Sequence, residues 1–188
     1  VTISLKKQQT ISLEKQGQGL TRVFMGLGWD VARGLFGLGG SDIDLDASCL
    51  MFDERGNVVD TVWFRQLSSR DGSVRHGGDN LTGAGDGDDE RIFVDLGRVP
   101  QNVRSLVFTV NSFRGQTFAK VKNAFCRVVD ETTGQEIAKL DLSEQGNHTG
   151  LVMARMQRGG SGWQLTAIGE RTEGRVVEQL VTDARRFL

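Results

Sequence analysis

The chain is short of proline, cysteine and histidine: among 188 residues there is one proline, Pro100, with two cysteines and two histidines. A single proline excludes a proline-rich linker that would divide the chain. Cys49 and Cys126 stand 77 positions apart inside apolar runs. That placement reads as two buried thiols in core strands, not as a disulfide or a reactive pair. With only His76 and His148, and no paired cysteines, a zinc site has too few ligands. No stretch approaches the ~18 consecutive apolar residues of a membrane helix. No basic-then-apolar leader opens the chain, so a cytoplasmic protein is the expectation. A surplus of positive charge is missing too: 23 Lys+Arg face 24 Asp+Glu, for a formal net charge of -1. Nucleic-acid binders normally carry a basic excess, so none is expected as a partner.

Glycine, by contrast, is abundant: 25 of 188 residues, against a usual share of about 7%. Without proline, that surplus indicates many tight turns with positive φ between strands. Short runs of alternating apolar and polar residues, broken at Gly, Asn or Asp, predict strands over 2–6, 10–15, 20–27, 43–53, 58–66, 91–96, 104–111, 124–130, 135–141, 149–156 and 162–169. Helical segments between them are nearly absent. The fold class is therefore all-β, an antiparallel sandwich of two sheets, with residues 1–188 forming a single domain. Residues 174–188 differ, because Val176, Val177, Leu180, Val181, Ala184 and Phe187 recur at helical spacing. They predict an amphipathic helix packed on the sandwich edge. A short helical turn is expected near 117–122. The glycine-rich stretch 31–41 exposes Leu35 and Phe36 and lacks the strand–GxGxxG–helix layout of a dinucleotide site.

The near-zero charge conceals segregation. Residues 1–29 sum to +3, residues 30–95 to -8 and residues 96–188 to +4. Two segments supply most of the negative charge. In Asp42-Ile43-Asp44-Leu45-Asp46, an extended backbone puts the three carboxylates on one face and the apolar residues on the other. Carboxylates roughly 7 Å apart repel by about 2 kcal/mol per pair at an effective dielectric near 20. No Lys or Arg lies between Arg33 and Arg55, so compensation comes from elsewhere in the fold or from a metal. The second segment, Asp79 to Glu90, holds five carboxylates, one amide oxygen and three glycines in twelve residues. Oxygen donors on a pliant glycine-rich backbone suit a hard cation, Ca²⁺ better than Mg²⁺. It is not an EF-hand: Leu81 and Gly83 stand where oxygen ligands belong. A solvated acidic turn is the alternative.

Several motifs resemble the TerD family of tellurite-resistance and stress proteins. They are Gly26-Leu27-Gly28-Trp29-Asp30, Asp44-Leu45-Asp46-Ala47-Ser48, Asp71-Gly72-Ser73-Val74, and Gly78-Asp79-Asn80 running through Thr82-Gly83 to Gly85-Asp86-Gly87-Asp88-Asp89-Glu90. The likeness continues to Ala167-Ile168-Gly169 and covers nearly the whole chain. Val62-Trp63-Phe64 and Asn111 to Phe118 look most like the TerZ branch. The resemblance implies a cytoplasmic bacterial β-sandwich that binds Ca²⁺, two ions being expected, and that is not an enzyme. Its implied partners are other proteins of a tellurite-resistance operon, at the inner face of the membrane. The implied ligands are Asp30, Asp42, Asp44, Asp46, Asp79, Asn80, Asp86, Asp88, Asp89 and Glu90, with Gly83 and Gly85 offering main-chain carbonyls. Ala84 stands where the family resemblance leads one to expect Glu.

Three functions follow from such a site. The leading one is a non-catalytic calcium module whose loaded loops dock a partner. The second is calcium-bridged attachment to phospholipid, with Leu35, Phe36 and Leu38 inserting. The third is metal-dependent phosphoester hydrolysis, for which no nucleophile–base pair is evident; His76 beside Gly77-Gly78 reads as a turn residue. Direct redox chemistry on tellurite by the two cysteines is the least favoured, since both are expected to be buried.

Overall fold

A computed structural model describes residues 2–15, 18–31, 43–78, 87–142, 146–160 and 162–188. Among them the strands are β1 (Ile3–Ser4), β2 (Thr10–Ser12), β3 (Glu14–Lys15), β4 (Gln18–Gly19), β5 (Arg22–Val31), β6 (Leu45–Phe52), β7 (Val58–Val62), β8 (Val74–His76), β9 (Glu90–Asp95), β10 (Ser105–Ser112), β11 (Val121–Asp130), β12 (Glu136–Asp141), β13 (Gly150–Arg158) and β14 (Trp163–Thr172). One 3-10 turn covers Phe118–Lys120, inside the stretch expected to turn, and one α-helix, α1, covers Val177–Arg185. Every expected strand segment contains a strand. The short strands β4 and β8 lie outside the expected segments.

The strands form two six-stranded sheets, in the orders β1-β12-β11-β5-β9-β8 and β2-β14-β13-β10-β6-β7, with β3 and β4 as a separate hairpin. Pairing is antiparallel throughout except for β1 with β12. The inward positions of both sheets make the main core: Met25 and Leu27 of β5, Leu45, Ala47, Cys49 and Met51 of β6, Leu106, Phe108 and Val110 of β10, and Met153 and Met156 of β13. Both cysteines are buried free thiols. Burial pushes both thiols up, that of Cys126 to about 12, so neither ionises readily.

Consecutive apolar residues in β6 (Cys-Leu-Met-Phe) and β10 (Leu-Val-Phe) require strands covered on both faces. The second cover is α1. Its Val177 and Ala184, with half-buried Val181 and Phe187 nearby, pack on Leu50, Phe52, Val107, Val152 and Ile168. The helix therefore lies across the outer face of the second sheet and not on the sandwich edge. The reason is that the strand residues opposite the main core are themselves apolar and must leave water. Among the described residues no helix covers the outer face of the first sheet; there Phe24 and Phe93 meet at 5.6 Å, and Arg91, Arg75 and Lys139 cover the rings of Phe24, Phe93 and Phe125.

Candidate functional site

β7 pairs with β6 only from Cys49 onward, so among the described residues β6 between Leu45 and Ser48 has an edge without a strand neighbour. An unpaired strand edge in the interior leaves donors and acceptors that must be satisfied. Two side chains of the opposite sheet do this. The N–H of Ala47 donates to Glu90 Oε2 at 2.5 Å, and His76 Nε2 lies 3.1 Å from the Ala47 carbonyl oxygen. Gly78 N–H donates to His76 Nδ1, which leaves the proton on Nε2 to reach that carbonyl. His76 Nε2 and Glu90 Oε2 are 3.6 Å apart, and both side chains are fully buried. His76 is thus a buried strand residue clamping the two sheets, and not the turn residue expected. Alternation with inward Val74 across Arg75 carried the signal, in a run too short to stand out as a strand.

The described residues flanking the 79–86 segment are Gly78 beyond β8 and Gly87 before β9; a Cβ on Gly28 of β5 would meet the Gly87 carbonyl. Asp46 and Asp44 alternate with the core residues Leu45 and Ala47, and both are buried, at 4% and 5% exposure. Asn111, the register partner of Asp46, donates from Nδ2 to Asp46 Oδ2 at 3.5 Å and to the Arg175 carbonyl at 2.7 Å. Arg114 reaches Asp44 Oδ2 at 3.5 Å with its own side chain more than half exposed. Part of the expected charge compensation thus comes from the turn after β10.

The other described candidates have evident structural work. Asp88 is fully buried and held by Arg127 through two contacts, at 2.7 and 2.9 Å, and by Arg91 at 3.2 Å. Gly26 makes room for it, since a Cβ there would collide with the Asp88 carboxyl. Arg127 also pairs with Glu136 at 3.0 Å, and its pKa is raised, chiefly by the hydrogen bonds to Asp88. Asp89 Oδ2 accepts from the Trp29 N–H at 2.9 Å. Burial lifts the Asp89 carboxyl above the usual range, the Trp29 hydrogen bond opposing and Asp30 and Asp88 adding repulsion. Asp30 accepts from Asn123 Nδ2 at 2.7 Å, at a bulge in β11 where Asn123 has φ 51°. Trp29 completes the frame by donating its indole N–H to the Ile43 carbonyl.

Asp42, Asp79, Asn80, Gly83, Gly85 and Asp86 lie outside the described residues, as do Leu35, Phe36 and Leu38. Among the described residues, no three carboxylate, imidazole or thiol side chains gather closely enough to hold a metal ion. Asp44 and Asp46 are brought together; Asp88 stands apart from them in its arginine cradle. No helix among the described residues is long and apolar enough to cross a membrane.

A TerD domain model matches residues 1–183. The chain is 51% identical over 187 residues to the tellurium resistance protein TerZ of Serratia marcescens, covering 96% of each. It is 43% identical to the stress response protein SCP2 of Bacillus subtilis, over 97% of this chain and 98% of that one. Among solved structures, a homologue of telluride resistance protein (TerD) from Streptomyces coelicolor superposes with a TM-score of 0.72 at 21% identity, covering 87% of this chain and 96% of the other.

Proposed function

Because this chain belongs to the TerD family of tellurium-resistance and stress-response proteins, we propose that it is a non-catalytic calcium-binding module that works in the cytoplasm and docks other proteins of its resistance system when loaded. One observation carries the reading: Asp44 and Asp46 are two buried carboxylates two residues apart, alternating with the core residues Leu45 and Ala47. Two carboxylates withdrawn from water repel one another, and a divalent cation relieves that repulsion best. The donor set is all oxygen, which suits Ca²⁺.

The proposed ligands are Asp44 and Asp46, joined by Asp79, Asn80 and Asp86 and by the carbonyls of Gly83 and Gly85. Asp42, two residues before Asp44 in the sequence, is a further proposed donor. Asp88 serves as an anchor: its carboxylate is committed to Arg127 and Arg91. Asp30, Asp89 and Glu90 hold Asn123, Trp29 and Ala47 respectively, and so shape the frame. Arg114 competes with the cation for Asp44.

Calorimetric titration with Ca²⁺ tests this. The wild type is expected to bind, with a melting temperature that rises with free Ca²⁺ and falls with chelator. Asp44→Asn/Asp46→Asn is expected to abolish the binding heat. Asp88→Asn is expected to lower stability by about 2–3 kcal/mol, since it strips a partly buried arginine of its partner, while leaving Ca²⁺ affinity unchanged. A wild type without binding heat or thermal response to Ca²⁺ would overturn the reading. Turnover of a phosphoester with Mg²⁺ or Mn²⁺, lost in the double variant, would replace it with a hydrolase.

A further inference from the structure

The far end of α1 borders a second feature, unrelated to the acidic site. A cavity of about 200 Å³ opens between the outer face of β13 and β14, the Gln8 turn and the residues that follow the helix. Its polar lining is Gln8, Arg155, Thr166 and Arg186, with Ile168, Phe187 and Leu188 as the apolar part. Among the described residues no Asp or Glu side chain lines it.

Arg155 projects from β13 opposite Thr166 of β14. Its guanidinium donates to the Phe187 carbonyl through Nη1, and Nη2 lies 3.4 Å from Thr166 Oγ1. Its Nε is buried and has no acceptor. Among the described residues it makes no ion pair, and burial lowers its pKa with no neighbouring carboxylate to restore it. Its partners are thus two neutral oxygens, one of them at the helix C-terminus, where the partial negative charge offsets only part of a full positive one. Arg186 adds a second guanidinium at the rim; its nearest carboxylate, Asp183, is 3.8 Å away and the arginine side chain is 63% exposed. Gln8 is held in a left-handed conformation, φ 66°, by its N–H donating to the Ala167 carbonyl, a backbone state uncommon for a residue with a side chain.

Two guanidinium groups, a hydroxyl and a carboxamide lining a small cavity with no Asp or Glu side chain among the described residues form a receptor for an anion with several oxygens. Planar N–H forks match such groups geometrically, and partial burial strengthens each contact. We propose that this cavity binds a small inorganic oxyanion, of the size and charge of phosphate or tellurite, between Arg155 and Arg186.

The test is titration of the intact protein with phosphate, sulfate, tellurite or acetate at constant ionic strength, followed by amide NMR shifts. Saturable shifts confined to Arg155, Thr166, Phe187, Leu188 and Gln8 are expected with at least one tetrahedral or pyramidal oxyanion. The strongest of phosphate, sulfate and tellurite identifies the source. Arg186→Gln, which removes an exposed side chain and should fold normally, is expected to weaken binding about tenfold, one charge-assisted contact. Arg155→Lys, which keeps the charge but loses the fork, is expected to weaken it further. Shifts that never saturate, that appear equally with acetate, or that persist unchanged in Arg186→Gln would overturn the proposal and leave Arg155 as a clamp on the helix end only.

Discussion

At the scale of single residues, the carboxylates differ in what they do, although the sequence presents them alike. Asp60 shows how completely a buried carboxylate can be satisfied without metal. It accepts from Thr61 N–H at 2.9 Å, Gln66 Nε2 at 2.8 Å and Arg70 N–H at 2.8 Å, and the Arg70 guanidinium stands 3.5 Å away. Burial pushes its pKa up, but these hydrogen bonds and the arginine outweigh burial and hold it below the usual carboxylate range. A depressed folded-state pKa gives stability that is present above the unfolded value, about 3.9, and lost as pH falls through the folded one. Asp60→Asn should therefore cost about 1–3 kcal/mol at pH 7. The gap from wild type should close below pH ~4 in urea denaturation measured across pH. A gap that stays constant with pH would mean that the charge of Asp60 contributes nothing. Asp89 has the opposite sign: its raised pKa makes the ionised form a burden that protonation relieves.

At the scale of elements, the edge of β6 and the helix α1 decide how the site is held. His76 and Glu90 occupy the place of a neighbouring strand at Ala47, so β8, though only three residues long, helps tie the first sheet to β6. α1 is nine residues long, too short to persist alone in water; it stands because the sheet beneath it is apolar. Leu180 of the helix is fully buried. Leu180→Ala should destabilise the protein by about 2–4 kcal/mol, lowering the urea midpoint with the slope unchanged. A reduced slope would show instead that the helix leaves the sheet before the sandwich unfolds.

At the scale of the whole molecule, α1 ties two charged regions together. Its leading end meets Asn111 through the Arg175 carbonyl, beside Asp46, and its trailing end meets Arg155 through the Phe187 carbonyl. If two Ca²⁺ ions bind, the formal charge moves from -1 to +3. Electrophoretic mobility at neutral pH should accordingly reverse sign with Ca²⁺, and chelator should restore it. Unchanged mobility under saturating Ca²⁺ would exclude uptake of two ions.

The sequence by itself determined the two-sheet sandwich, the amphipathic helix, the burial of both cysteines and the convergence of acids on two segments. Each of these is written in local periodicity or composition, which one strand or helix expresses without help from the rest. Only the tertiary structure decided that α1 covers a sheet face, that Arg127 takes Asp88, that Arg114 meets Asp44 and that His76 closes the β6 edge. Those partners are far apart in the chain, 39 positions for Arg127 and Asp88 and 29 for His76 and Ala47. Carboxylates of the same residue type look identical along a sequence. They become anchor, clamp or candidate ligand only when folding sets which cation or N–H arrives beside them, and how much water leaves.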